Sequence, residues 1–162
     1  MDKVIDVVEQ GRVRHRVPET GSLIPLDACS MVSDDTITTQ AGFADSRRRE
    51  YPARHQCWWQ TPDGADRFVM YLMFKAGSSP GAVGAGGRST SIAGRETFVN
   101  SFPETNDCSV TTGHIIFDEI PEYDLSLEQA TVQVITPPGR VDDGCRAAIA
   151  VANEVWPQLP RA

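Results

Sequence analysis

The chain has 162 residues, of which 40% are hydrophobic and 23% are charged, and its formal net charge is −7. This composition is typical of a single globular domain and argues against a globally disordered chain. No apolar run approaches the ~20 residues that a membrane-spanning helix needs. The acidic balance also argues against a nucleic-acid partner, because proteins that bind the phosphate backbone supply an excess of Lys and Arg.

Four cysteines are present, Cys29, Cys57, Cys108 and Cys145, and none forms a C-x-x-C pair. Structural zinc sites and redox-active dithiols usually contain such a close pair, so two disulfides are the favoured interpretation. Four cysteines allow three pairings, which sequence alone does not distinguish. We favour Cys29–Cys57 and Cys108–Cys145, because the first would tie a short helix to a hairpin and the second a late strand to the last helix.

Two disulfides would place folding in an oxidising compartment, whereas a cytosolic protein would keep four thiols. Met1-Asp2-Lys3 leads into VIDVVEQGRV without the apolar stretch of a signal peptide. We therefore expect a signal, a lipid anchor or a membrane helix to precede this chain in the full gene product. An extracytoplasmic location, in the cell envelope or secreted, follows from that expectation.

The N-terminal part, residues 1–21, is predicted to be an extended arm, and residues 22–162 one disulfide-stabilised domain. Asp27 is suited to cap a short helical turn at Cys29. Ser33, with two aspartates after it, is suited to cap a second helix at Thr36–Gln40, which Gly42 ends. Residues 43–52 contain three consecutive arginines and a proline, which predict a surface loop.

The stretch 54–74 has the pattern of a β-hairpin. Strand alternation places Cys57 and Trp59 on one face of its first strand and Trp58 on the other. The return strand, Phe68–Phe74, is apolar on both faces, which predicts a central strand covered on each side. Both strands together make this hairpin the scaffold of the domain.

After Lys75 the chain is rich in glycine up to Arg88, which predicts a long loop. Strands are then predicted at residues 92–99, 108–117 and 130–136. The final element is an amphipathic helix that starts at Asp142 and Asp143 and ends near Pro157. The expected fold is α+β: a mainly antiparallel sheet of about five or six strands, with the C-terminal helix on one face and two disulfides.

Short motifs carry a resemblance to a known family. They are the segment Leu26–Val32 around Cys29, the pair Cys57-Trp58, the strand at Ala93-Gly94-Arg95, and the Cys108 and Cys145 segments. The chain resembles, over about residues 22–160, a family of actinobacterial extracytoplasmic domains and lipoproteins of unknown function, which also occur as outer domains of membrane proteins. The resemblance implies α+β architecture, an envelope location and no established catalytic residues. The arm at Gly11–Arg14 also resembles accessory proteins of actinobacterial type VII secretion.

The sequence contains no pattern that indicates a catalytic, metal or cofactor site. The histidines, His15, His55 and His114, lie at no metal-ligand spacing, and G-x-S-x-G and S-x-x-K are absent. Carboxylates at 118, 119, 122, 124 and 128 are interpreted as solvated. Trp58, Trp59 and Tyr71 are candidates for contact with a ligand or partner, although aromatic residues on such a strand are more often core.

These observations predict a protein that is not an enzyme and needs no cofactor. We expect a binding or sensing module of an actinobacterial cell envelope, either a lipoprotein or the ectodomain of a membrane protein such as a receptor kinase. Its partner would be a small ligand or an envelope protein. The alternative is an accessory or structural protein of a secretion system, which acts through protein–protein contacts.

Overall fold

The fold is built on one antiparallel sheet of seven strands, in the order β1-β2-β3-β7-β6-β5-β4. The structure is a computed structural model, which describes residues 17–51, 53–62, 67–81, 87–116 and 126–161. The strands are β1 Arg47–Glu50, β2 Gln56–Gln60, β3 Val69–Ser78, β4 Arg88–Ile92, β5 Arg95–Phe102, β6 Asp107–Ile116 and β7 Ser126–Ile135. The predicted α+β class and antiparallel sheet are confirmed, but the sheet has seven strands rather than five or six.

The main helix, α1, spans Val141–Val155 and crosses one face of the sheet. A 3₁₀ turn follows it at Trp156–Gln158. Two short helical segments precede the sheet, a 3₁₀ turn at Ala28–Ser30 and a π-helical segment at Thr36–Gln40. None of the helices among the described residues is long and apolar enough to cross a membrane.

The register divides the sheet into two faces. Cys57, Leu72, Val132 and Val110 are opposite one another on successive strands, and all four are buried under α1 and the short segments. We call this side the helix face. We call the other side the aromatic face. It carries the residues one position along each strand, Trp58, Tyr71, Gln133 and Ser109, which are again direct partners of one another.

Helix α1 lies against the sheet at close range because its first turn has no side chain there. A Cβ atom on Gly144 would stand 2.6 Å from Thr136 Cγ2 and 3.4 Å from Val134 Cγ1. The apolar stripe that was predicted from the 3.6-residue period contributes Cys145, Ala148, Ala152, Val155 and Trp156 to the core, and all are buried.

Both predicted disulfides are confirmed, with the predicted pairing. Cys29–Cys57 ties the first 3₁₀ turn to β2 on the helix face. Cys108–Cys145 ties β6 to the first turn of α1 on the same face. The structure contains no free cysteine. Both bonds lie on one side, so they hold the first 3₁₀ turn and α1 to the helix face, and the segment Thr36–Gln40 packs against α1.

The two ends of the domain meet at Arg95 and His114. The Arg95 guanidinium donates to the backbone oxygens of Leu159 and Pro160 and faces His114 Nδ1 at 3.3 Å. The other ring nitrogen, His114 Nε2, lies 2.7 Å from the carbonyl oxygen of Gly21. The entry to the domain and its exit are thus held by one pair of side chains on neighbouring strands. Residues 1–16 of the predicted arm lie outside the described residues.

The two predicted short helices are confirmed in position. The Asp27 carboxylate accepts a hydrogen bond from the Cys29 backbone N–H at 3.0 Å, as an N-terminal cap does. The Ser33 hydroxyl accepts from the backbone N–H of Thr36 at 3.2 Å.

The predicted surface loop at 43–52 is wrong in its middle, because Arg47–Glu50 forms the edge strand β1. All four residues are exposed, so no alternation of apolar and polar residues marked them as a strand. Their strand conformation comes instead from pairing with β2, from Arg47 opposite Gln60 to Glu50 opposite Cys57.

The predicted strand at 92–99 is also wrong, because the chain reverses within it. Ala93 and Gly94 have φ of 53° and 77°, and they form the two-residue turn between β4 and β5. Positive φ at both positions is the mark of the tight hairpin turn that matches strand twist, and alanine seldom adopts it. The loop that was predicted between Lys75 and Arg88 is also shorter than expected, because β3 extends to Ser78 and β4 begins at Arg88.

The return strand of the hairpin, β3, is interior as predicted, but only one of its faces is fully covered. Met70 and Leu72 are buried on the helix face, whereas Tyr71 and Met73 are partly exposed on the aromatic face.

We expect removal of Cys108–Cys145 to lower the free energy of unfolding by roughly 3–4 kcal/mol, because the bond closes a 37-residue loop in the unfolded chain. The measurement is urea denaturation of Cys108→Ala/Cys145→Ala against wild type. A variant with an unchanged midpoint would show that α1 holds its place without the bond.

Gly144→Ala should destabilise the protein, although alanine is favoured over glycine by about 1 kcal/mol within a helix. The new methyl group would overlap Thr136, whose hydroxyl is hydrogen bonded to the Asn106 and Pro137 carbonyls and whose side chain cannot easily move. Thermal unfolding measures the sign of the change. A higher melting temperature than that of wild type would contradict the close approach of α1 to the sheet.

Candidate functional site

The most prominent surface feature is a group of aromatic and basic side chains on the aromatic face, at the β1 end of the sheet. We call it the aromatic–arginine patch, and it consists of Arg47, Arg49, Trp58, Tyr71 and Ile135. Register explains why these residues come together. Arg49, Trp58 and Tyr71 are direct partners across β1, β2 and β3.

The other two patch residues, Arg47 and Ile135, lie on the same face, two positions along their strands from the first set of partners. Pairing across the four strands β1, β2, β3 and β7 runs from Arg47 through Gln60 and Val69 to Ile135. Ile135 is 39% exposed, and both arginines are exposed as well. An apolar surface is thus bordered by two cationic side chains.

Trp58 is the centre of the patch. Its ring is 5.9 Å from that of Tyr71, at a tilt of 48°, and the Arg49 guanidinium lies 5.4 Å from its centroid. A cation over an indole face contributes roughly 0.5–1 kcal/mol at an exposed site. The indole Nε1 is buried and has no hydrogen-bond partner in the part of the chain that the structure describes.

Tyr71 remains a neutral hydrogen-bond donor near neutral pH. Partial burial raises the pKa of its phenol, and the nearby Tyr51 raises it further, while Arg67 lowers it. Tyr51 is itself 42% exposed. A neutral phenol beside a tryptophan suits contacts with the ring or the polar edge of a bound molecule.

A second polar group lies further along the same face. Gln133, which is opposite Tyr71, donates through Nε2 to Asp107 Oδ2 at 2.6 Å. The other carboxylate oxygen, Asp107 Oδ1, is buried without a partner among the described residues. Burial raises the pKa of Asp107, and the Gln133 hydrogen bond lowers it in part.

Of the three aromatic residues singled out in the sequence, only two lie in this patch. Trp59 points to the helix face, is 2% exposed and packs in the core. It therefore presents no surface to a ligand. The four cysteines are structural, since all are paired and buried.

Three cavities lie elsewhere, and Trp58 lines none of them. The first, of about 180 Å³, lies near Glu128 and His55. The second, of about 340 Å³, lies beside Arg140 and Arg146, which both pair with Asp143. The third, of about 270 Å³, lies at Arg95 and His114.

The described residues bring together no set of groups with the geometry of a metal site. No group of three or more His, Cys, Asp or Glu side chains within those ranges lies together as metal ligands would. His15 and the acidic residues 118–124 lie outside the described part, so nothing is assigned to them. Glu128 is described, and it is buried at 6% exposure rather than solvated as predicted.

The sequence analysis did not assign Arg47, Arg49 or Ile135 to a site, and it interpreted Glu128 as solvated. Arg49 was placed in a loop, and its contact with Trp58 depends on the pairing of β1 with β2. A row of partners across three strands is set by register, which no local pattern in the sequence revealed.

Comparisons with family models, with curated proteins and with solved structures found no match to this chain.

Asp107→Asn tests the environment of the carboxylate. Because the folded-state pKa of Asp107 is raised, the folded protein favours its protonated form, and this contribution is present at low pH and lost as pH rises. We expect the stability of wild type relative to Asp107→Asn to fall as pH increases from about 4, the ordinary range of an aspartate. Urea unfolding at a series of pH values measures it.

Glu104→Gln is the control for that series, since Glu104 is exposed in the turn before β6. Its stability relative to wild type should show no comparable trend. If wild type instead gained on Asp107→Asn as pH rose, Asp107 would be stabilised as an anion, contrary to its burial.

Proposed function

We propose that this protein is a non-enzymatic, extracytoplasmic binding module, and that it binds an envelope partner through the aromatic–arginine patch. The observation that carries the proposal is the arrangement around Trp58: an indole whose N–H has no partner among the described residues, in tilted contact with Tyr71 and covered by Arg49. A buried donor left without an acceptor costs free energy unless something else supplies one.

The charge of the patch indicates the chemistry of the partner. Arg47 and Arg49 are cations on a chain whose net charge is −7, and Trp58, Tyr71 and Ile135 provide an apolar surface beside them on β2, β3 and β7. Aromatic residues and arginine are the types that dominate binding energy at interfaces. We infer a partner that presents an anionic group next to an apolar or ring surface.

The location rests on the disulfides. Two disulfide bonds in a chain of this size are typical of proteins that fold outside the cytosol. The finer proposal, an actinobacterial lipoprotein or the ectodomain of a membrane protein such as a receptor kinase, rests on the resemblance described in the sequence analysis. The proposal of a non-catalytic role rests on the same resemblance.

A second candidate function is that of an accessory or structural protein of a secretion system. The edge strand β1 favours it, since it is outermost in the sheet and all four of its residues are exposed. An exposed edge offers unpaired backbone groups to a strand of another protein. In that case the contact would depend on the backbone of β1 rather than on Trp58.

The patch is tested by capture of envelope components on immobilised protein. Wild type and Trp58→Ser are compared, together with Arg49→Gln and its matched control Arg48→Gln. Arg48 is on the same strand and is opposite Trp59, so its side chain points to the other face. All four proteins are first shown to unfold at similar temperatures.

We expect one class of component to be retained by wild type and by Arg48→Gln, and its retention to fall about tenfold or more with Trp58→Ser and Arg49→Gln, as the loss of a central interface residue does. Equal retention by all four proteins would contradict the patch. A fifth protein, Arg48→Pro, tests the backbone of β1. If it lost retention while the three side-chain variants kept it, binding through the β1 backbone would be favoured, and with it the secretion-accessory role.

A further inference from the structure

The cavity near Glu128 lies on the helix face, away from the aromatic–arginine patch. It is bounded by the segment that enters the domain, by the turn before β2 and by the adjacent ends of β3 and β7. Its volume is about 180 Å³, and its lining residues are Leu23, Ile24, His55, Phe74, Lys75, Ala76 and Glu128. Ile24 is 37% exposed and Ala76 is exposed, so the cavity opens to solvent at this edge.

Glu128 is a buried carboxylate whose hydrogen bonds all come from neutral donors. The Ser22 hydroxyl donates to Oε1 at 2.5 Å, and the Leu23 backbone N–H donates to Oε2 at 2.7 Å. No Lys, Arg or His of the described ranges forms an ion pair with it. Burying a carboxylate at 6% exposure costs free energy that a counter-charge would offset.

Lys75 does not provide that counter-charge, although it lines the cavity. Glu128 is opposite Ala76 in the pairing of β3 with β7, and their side chains share the helix face. Lys75 precedes Ala76, so strand alternation directs its side chain to the aromatic face. Lys75 is exposed and borders the cavity, but among the described residues it forms no ion pair with Glu128.

His55 adds a second polar atom to the same wall. Its Nδ1 is buried and has no partner among the described residues. With the proton on Nε2, Nδ1 is a hydrogen-bond acceptor. A donor group inside the cavity would thus meet the carboxylate of Glu128 and the imidazole of His55, two acceptors on different elements.

The rest of the lining is apolar, from Leu23, Ile24, Phe74 and Ala76. A cavity of about 150 Å³ is large enough to hold benzene, so a molecule of five or six heavy atoms matches the available space. We propose that this cavity binds a small organic cation, a primary ammonium group on a short aliphatic or aromatic body. The ammonium pairs with Glu128 and donates to His55, and the hydrocarbon part lies against Leu23 and Phe74.

The proposal is tested with 3-methylbutylammonium chloride and, as the neutral probe of the same shape, 3-methylbutan-1-ol. Binding to the intact protein is followed by amide NMR shifts and by calorimetry. We expect the ammonium to shift the amides of residues 22–24 and 74–76 saturably and to bind about tenfold or more tightly than the alcohol, a difference of about 1.4 kcal/mol.

Three variants locate the interaction. Glu128→Gln removes the charge at nearly constant shape and should weaken ammonium binding about tenfold or more. Ala76→Leu leaves Glu128 in place and fills part of the cavity, so it should abolish binding of both probes. Glu50→Gln is the matched control, because it removes an exposed carboxylate of the helix face that does not line the cavity, and its affinity for the ammonium should remain within about twofold of wild type.

Each other outcome overturns the proposal. Equal affinity for the two probes would show an apolar cavity without a role for Glu128. Shifts confined to the aromatic face, or unaffected by Ala76→Leu, would place the cation elsewhere, and the absence of saturable shifts would exclude the site. If Glu128→Gln does not fold, Ala76→Leu and Glu50→Gln decide the question. These results are independent of capture through Trp58, so either function can fail alone.

Discussion

The docking of α1 onto one face of the sheet is the constraint on which the rest of the structure depends. It is secured by the Cys108–Cys145 bond and by the close approach at Gly144, where no side chain separates helix and strand. The Cys29–Cys57 bond holds the first helical turn to the same face. The first helical turn and α1 are thereby held on one side of the sheet, and the segment Thr36–Gln40 packs against α1. Trp58 and Tyr71, whose positions alternate with those of the buried residues on β2 and β3, lie on the opposite, aromatic face.

That asymmetry gives the two faces different roles. On the helix face, apolar side chains such as Leu72, Val110 and Val132 are fully buried and contribute to stability. On the aromatic face, β2 and β3 carry Trp58 and Tyr71, which remain partly exposed and are bordered by arginine. Exposed apolar surfaces that are bordered by polar residues often mark interaction sites, which is the basis of the proposed function. The cavity at Glu128 is a different case, because its polar groups come from segments that are distant in sequence: Leu23, whose backbone binds the carboxylate, is 105 residues away.

Much of the framework could be predicted from the sequence, because it rests on local periodicity and on cysteine spacing. The helix face of α1 and the alternation of Cys57, Trp58 and Trp59 follow from periodicity, and the presence of two disulfides follows from the number and spacing of the cysteines. The pairing was favoured among three possibilities and is fixed only by the fold. Strand β1 could not be predicted, since Arg47–Glu50 has no alternation and becomes a strand only by pairing with β2. The turn at Ala93-Gly94 was missed because alanine seldom has positive φ. The burial of Glu128 depends on tertiary contacts with Ser22 and Leu23, which no sequence window contains.

The central claim is that binding takes place on the aromatic face, and hydroxyl-radical footprinting with mass spectrometry tests it most directly. In the free protein, Tyr51, Trp58 and Ile135 should be oxidised, whereas Trp59 and Trp156, at 2% and 1% exposure, should be protected. With an envelope fraction that the protein retains, protection should appear at Trp58 and Ile135 and leave the exposed Val17 reactive. Oxidation of Trp58 that is unchanged by that fraction, while other surface residues become protected, would contradict the account.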